Sequence, residues 1–187
     1  MRGPKQKYSK QLLLEKGLAY VNEFGMSNLS FRKFATYIGC STQPIISSFG
    51  NLETLILELG IAIERFYDDY TSQFVKEEKD SFLTVGLAYI SFANEYSNYF
   101  HSLFLMDYFK KESFSAFFTD EESQSFVRDL AHTLNLSETV ALKLLRNMWL
   151  TTHGIATFAY TNQVDLDHSE IEEILQQNFQ GLLSVLK

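Results

Sequence analysis

Apolar residues recur along most of this chain at intervals of three and four, the period of a helix with one buried face. Leu13, Leu14, Leu18, Val21 and Phe24 place a first helix over residues 7–24, with Gly25 suited to a left-handed terminus. Ser30 stands as N-cap before a two-turn helix over residues 31–38, stopped by Gly39. Ser41 is expected to cap a short third helix to about residue 49, with Pro44 tolerated in its first turn. Gly50 and Asn51 break and recap the chain, and a long helix follows over residues 52–74. The charged run 76–80 reads as a solvated connection.

Phe82, Val85, Tyr89, Phe92 and Tyr96 fall on one face of a helix over residues 81–96. A short helix near 98–107 and a weakly patterned stretch over 108–119 come next. Asp120 caps a helix reaching about residue 134, and Ser137 caps a long one over 138–161. Asp167 and Glu170 have capping-box spacing, with Leu166 placed to staple onto Ile171. That last helix carries Ile171, Ile174, Leu175, Phe179, Leu182, Leu183 and Leu186, a broad apolar stripe. No segment alternates with the two-residue period of a half-buried strand, so the pattern predicts an all-α fold of about nine helices.

Charge divides this helical chain unevenly. Residues 1–50 hold seven basic side chains against Glu15 and Glu23, a net of +5, so a whole-chain charge of −7 leaves −12 on the remainder. A basic head on an acidic body suits one end facing a polyanion while the other is kept off it.

Within the head, two short helices joined by Gly39, Cys40 and Ser41 have the arithmetic of a helix-turn-helix. In such a unit the second helix enters the major groove while hydroxyls and basic side chains hold phosphates. The candidate recognition helix opens with Ser41, Thr42 and Gln43; glutamine pairs bidentately with adenine, and hydroxyls serve several partners. Ser47 and Ser48 at its far end suit phosphate contacts, as do Ser30, Arg32 and Lys33 on the preceding helix. From spacing alone, a helical hairpin that caps a bundle fits as well.

Register match favours the DNA reading. The run Leu13-Leu14, Gly17-Leu18, Glu23-Phe24-Gly25, Leu29 to Ala35, Gly39-Cys40-Ser41, Phe49-Gly50-Asn51 and Glu53-Thr54-Leu55 resembles the DNA-binding domain of the TetR family over roughly residues 8–57. The resemblance implies a helix-turn-helix domain over residues 1–50 and a ligand-binding and dimerisation domain over 51–187. Ile46 stands where the family usually has a backbone-contacting Tyr, Leu52 where it has Lys, and Thr42 where Lys is frequent. This thinner phosphate set should weaken binding and flatten its salt dependence, with the arm Arg2–Lys10 available to compensate.

Trp149, His153 and Gly154, followed by Phe158, are similar to a Trp/His-Gly motif on the family's eighth helix. The resemblance implies a homodimer built on the last two helices, through Ile155, Phe158, Ala159, Ile174, Phe179 and Leu182, with Gly154 allowing close helix approach. It also implies an effector cavity, for which Tyr89, Phe92, Tyr96, Phe100, Phe104, Trp149 and His153 are the candidates, against ordinary core packing. Glu95 and Asp107 are acidic neighbours suited to a cationic ligand. The implied function is a repressor that binds a palindromic operator in double-stranded DNA and is released by a small-molecule effector; the alternative is a helical protein-interaction module that never meets DNA.

Composition narrows the remaining classes. With 17 Phe and 10 Tyr but one Trp, the chain has an aromatic surplus that a cavity or a core can absorb. Cys40 is the single cysteine, which rules out an intrachain disulfide or a multi-cysteine zinc site and fits a reducing cytoplasm. His101, His132, His153 and His168 lack tight metal spacing, so no metal ligand is expected, and no cofactor motif is present. Neither a nucleophile elbow, a phosphate-binding glycine loop nor a His-Glu helix motif occurs, so no enzyme is expected. The basic N-terminus is followed by no apolar h-region and no stretch long enough for a bilayer, so no membrane partner is expected.

Overall fold

The computed structural model describes residues 8–77, 82–106, 118–161 and 167–186. Among these residues there is no strand, and the chain forms nine α-helices. They are α1 (Lys10–Phe24), α2 (Phe31–Ile38), α3 (Gln43–Phe49), α4 (Leu52–Glu77), α5 (Phe82–Glu95), α6 (Ser97–Phe100), α7 (Glu121–Leu134), α8 (Glu138–Thr161) and α9 (His168–Leu186). A 3₁₀ turn, Met26–Asn28, follows α1, and a π-helical turn, His101–Leu105, follows α6. The expected all-α architecture is the one observed. The stretch over 108–117, the neighbour Asp107 and the staple residue Leu166 lie outside the described residues.

Side-chain caps explain most of these boundaries. Ser30 Oγ accepts from Lys33 N at 3.2 Å, Ser137 Oγ from Val140 N at 3.3 Å, and Asp120 from Ser123 N at 2.8 Å. At α9 the capping box is reciprocal: Glu170 N donates to Asp167 Oδ1 at 2.8 Å and Asp167 N donates to Glu170 Oε2 at 3.0 Å. Hydrogen bonds from Ser169 and the Glu170 amide hold the Asp167 carboxyl below its ordinary range. Gly39 ends α2 in the left-handed region (φ 69°, ψ 41°); its N–H reaches Thr36 O, and Cys40 N reaches Ala35 O at 3.0 Å.

Several boundaries differ from the sequence pattern: α4 runs to Glu77, taking in the start of the charged run read as a connection, and the short helix expected near 98–107 is α6 followed by the π turn. α1 begins at Lys10, capped by Ser9 rather than running from residue 7. Gly25 adopts φ 79°, ψ 152°, an extended positive-φ region open essentially to glycine, because the chain turns directly into the 3₁₀ segment. The cap of α3 is Thr42, not Ser41, and its side chain makes no capping bond. With Thr42 at the cap, Pro44 occupies the second helical position, which removes one of the two amides a capping oxygen serves.

The α3–α4 connection is tight. Gly50 has φ 76°, ψ −64° and is bridged by an Asn51 N to Phe49 O bond of 2.9 Å, a γ-turn that glycine tolerates. Asn51 Oδ1 at once caps α4 by accepting from Thr54 N at 2.8 Å. The two helix axes are bent by 72° across this elbow.

The chain divides into two compact units, Met1–Asp69 with Tyr96–Tyr108, and Tyr70–Glu95 with Phe109–Lys187. In the first, Leu13, Val21, Phe34, Ile45, Leu55, Leu59 and Ile63 are fully buried. α1 lies so close to α4 that a Cβ on Gly17 would sit 2.7 Å from Leu59 Cδ2. α6 is strapped to α1 by Asn98 Nδ2 donating to Asn22 O at 2.9 Å and Tyr99 Oη donating to Leu18 O at 3.0 Å. Burial of that phenol pushes the Tyr99 hydroxyl up to about 12.

In the second unit, α5 is not the one-faced helix expected. Thr84, Leu87, Ala88, Tyr89, Ile90, Phe92 and Ala93 are all buried, because α8 and α9 both pack on it. At Gly86 a Cβ would meet Thr152 Oγ1 at 3.3 Å and Leu175 Cδ1 at 3.6 Å. Of the apolar stripe on α9, only Leu175 is fully buried within the chain. No single helix among the described residues is long and apolar enough to cross a membrane.

Candidate nucleic-acid interface and aromatic cluster

The α3 helix is amphipathic over only two turns. Ile45 and Phe49, four apart, are buried against the head, so Gln43, Ile46 and Ser47 face outward. Gln43 Nε2 donates to Ser47 Oγ at 3.3 Å, and Ile46 is 38% exposed. Ser41 is exposed at the turn, while Thr42 and Ser48 are half-buried. On α2, Arg32 and Lys33 are exposed and form no ion pair among the described residues, and the Lys33 amide is the donor to the Ser30 cap.

One basic residue is committed inside the head. Lys10 Nζ lies 2.6 Å from Glu58 Oε1 and 5.4 Å from the Phe49 ring centroid, so it ties α1 to α4 and to the end of α3. The i-to-j separation of 48 residues gives this pair no sequence signature. Tyr8 Oη, at the start of the described chain, donates to Gly39 O at 3.4 Å. Tyr20, Phe24, Phe34 and Tyr37 form a ring cluster, edge-on in three of its pairs and tilted between Tyr20 and Phe24, with Phe24 and Tyr37 partly exposed.

The seven candidate effector residues divide between the two units. Tyr96, Phe100 and Phe104 belong to the first, where Tyr96 stacks on Tyr99 (6.0 Å, 9°) and Phe104 meets Tyr67 and Phe100. Tyr89, Phe92, Trp149 and His153 belong to the second. Phe92 is fully buried beside Tyr70, whose hydroxyl donates to Glu95 Oε1 at 3.1 Å.

Around Trp149 the second unit builds a denser cluster. The His153 ring stacks on the indole (4.8 Å, 7°), and its Nδ1 lies 2.8 Å from Tyr89 Oη. Burial disfavours the imidazolium and pushes His153 below its ordinary value of 6.5. In the neutral ring with the proton on Nε2, Nδ1 accepts the Tyr89 hydroxyl proton. Phe118 stands edge-on to Trp149 at 6.4 Å, and the Arg146 guanidinium lies 5.5 Å over the Phe118 ring. Phe118 and Arg146 are absent from the sequence-based set. The spacing of Arg146, Trp149 and His153, at i, i+3 and i+7, was the available signal.

The residues expected at a dimer surface are all on α8 and α9. Phe158 is 47% exposed and Ile174 38%, whereas Ile155 is buried in the chain; Ala159, Phe179 and Leu182 are half-buried. Leu150 and Val185, not singled out in the sequence, are exposed alongside at 52% and 83%. Within the chain nothing lies within 4 Å of a Cβ on Gly154 or Gly181.

No protein-family model matches the chain, and no curated protein matches it. Its fold is similar to that of a TetR variant from Acinetobacter baumannii AYE solved in complex with minocycline. The two share 16% sequence identity with a TM-score of 0.57, and the match covers 96% of each chain. The chain therefore has a TetR-like all-α fold.

Proposed function

We propose that this protein is a DNA-binding transcriptional regulator of the TetR type, acting in the cytoplasm as a homodimer and released from a palindromic operator by a small-molecule effector. The observation that carries the reading is the outward row Gln43, Ile46 and Ser47 on a buried-backed α3, set in a head of net charge +5. Gln43 is the base-reading side chain. Ser41, Thr42, Ser47 and Ser48, with Ser30, Arg32 and Lys33, supply backbone contacts. Ile46 adds an apolar contact in place of a phosphate bond.

Dimerisation uses the open apolar face of α8 and α9, with Phe158, Ala159, Ile174, Phe179 and Leu182 at its centre. The symmetric pair presents two α3 helices to successive major grooves about 34–36 Å apart. The solved TetR variant holds minocycline, and a corresponding effector here acts by binding the DNA-incompetent state more tightly than the competent one. The Tyr89, Phe92, Trp149 and His153 cluster is its site.

The test is a gel shift on the DNA flanking the protein's own gene, at low salt, with the dimer verified in parallel. Sequence-selective binding that is lost in Gln43→Ala is the expected result. An intact dimer that shifts no DNA overturns the reading and leaves a helical interaction module.

A further inference from the structure

Arg146 is out of place in its surroundings. Residues 51–187 carry a net charge of −12, yet of the three Lys and Arg side chains described over residues 118–186 this one is half-buried, with its Nε withdrawn from water. Arg128 pairs with Glu121 at 3.5 Å and Lys143 is exposed. Arg146 Nε is buried and has no hydrogen-bond partner, and no described carboxylate pairs with the guanidinium. The guanidinium lies over the face of Phe118, 5.5 Å from the ring centroid. A guanidinium N–H withdrawn from water and left unmatched is unfavourable, and a carboxylate is the acceptor whose geometry satisfies it best.

The surroundings fit the rest of such a molecule. Arg146, Trp149 and His153 follow one another along one face of α8, with Phe118 beside the first two and Tyr89 closing on the third. Tyr89 Oη and His153 Nδ1 lie 2.8 Å apart, so that end offers a neutral hydrogen-bonded pair and ring surface rather than a second charge. We infer that the effector of this protein is an organic anion, a carboxylate with an apolar body, whose charged end pairs with Arg146 while its body lies on Trp149 and Phe118. The word effector rests on the regulator reading; the anion site does not. The acidic neighbour Glu95, which from sequence suited a cationic ligand, is engaged by Tyr70.

Trp149 is the sole tryptophan, so its emission reports on this cluster alone. The full-length protein is titrated with benzoate and octanoate, each beside its neutral amide, at ionic strength held constant with chloride. Both Trp149 emission and the thermal midpoint are followed. The carboxylates are expected to quench or shift the emission and raise the midpoint, with the amides at least tenfold weaker. Arg146→Gln should erase that preference, and Arg146→Lys should restore part of it. Equal responses to acid and amide, or no response to either carboxylate, overturn the inference from the unsubstituted protein alone. A carboxylate response unchanged in Arg146→Gln overturns it too. Since no DNA is present, these failures are separate from a failed gel shift: operator binding without an anion response removes the anionic effector only, and the reverse result removes the regulator only.

Discussion

Replacing Phe158 by Ser tests the proposed dimer face most directly. The ring is 47% exposed in the single chain. On a side chain whose full area is about 200 Å², that leaves roughly 95 Å² to be covered by a partner. At about 25 cal/mol per Å², covering it stabilises association by roughly 2 kcal/mol per protomer. A two-fold interface meets the substitution twice, so the loss approaches about 4–5 kcal/mol per dimer, roughly one to several thousandfold in dissociation constant. The other half of the ring packs within its own chain, so a modest fall in protomer stability accompanies the change. Sedimentation equilibrium of the unsubstituted protein and of Phe158→Ser, with circular dichroism as a check on helix content, reads the two effects separately. A variant with native helicity and an unchanged dissociation constant would refute a dimer centred on this face.

Further outcomes follow from the packing and the caps. Gly17→Ala puts a methyl 2.7 Å from Leu59 Cδ2; an overpacking cost of about 1–3 kcal/mol is offset by about 1 kcal/mol of helix propensity, a net loss of roughly 0–2 kcal/mol, read by urea denaturation. Gly39→Ala meets nothing within 4 Å and should cost only the left-handed strain, about 1–2 kcal/mol; a loss well above about 2 kcal/mol there contradicts the geometry. Ser30→Ala removes the cap on α2 and should cost about 1 kcal/mol, while adding no new salt sensitivity to thermal unfolding. His153 is held below its unfolded value of 6.5, so the unfolded chain binds the proton first as pH falls. Its neutral form therefore contributes fully above that value, and stability drains away below it. Thermal midpoints from pH 7.5 to 5.5 should fall, and His153→Gln should flatten that slope; an identical slope in the variant refutes the assignment.

Local chemistry explains why so much of the architecture could be read from the chain. Ser30, Gly39, Asn51, Asp120, Ser137 and the Asp167–Glu170 box each act on amides or carbonyls within a few residues, so their signals are written where they operate. Failures came where a neighbour competed or where contacts were distant. The cap of α3 falls at Thr42 rather than Ser41, and since its side chain makes no capping bond, a cap-residue preference has no signal to read there. The central position of α5 erased the one-sided pattern, since a helix covered by α8 and α9 has apolar residues all round. For the candidate sites, Gln43 and Ser47 were legible as polar positions of a short helix, Ile46 only through the family resemblance, and the burial of Ile45 and Phe49 behind them needs the structure. Lys10 with Glu58 was not legible, because nothing local joins residues 48 apart. Arg146 shares a helical face with Trp149 and His153 by spacing, but charge on a helix usually means solvent, and its buried Nε is what sets it apart.

The elbow at Gly50 and Asn51 has a mechanical consequence. Two residues join α3 to α4, and both are held: one by the γ-turn bond, the other by its own cap on the next helix. Such a joint has almost no torsional slack, so α3 cannot be re-aimed without carrying the start of α4 with it. Whatever tilts that first turn of α4 must turn α3 with it, and α1, packed closely on α4 where Gly17 faces Leu59, moves along. The head thus behaves as one gear rather than a set of hinged parts, and changing the aim of α3 requires moving the whole of it.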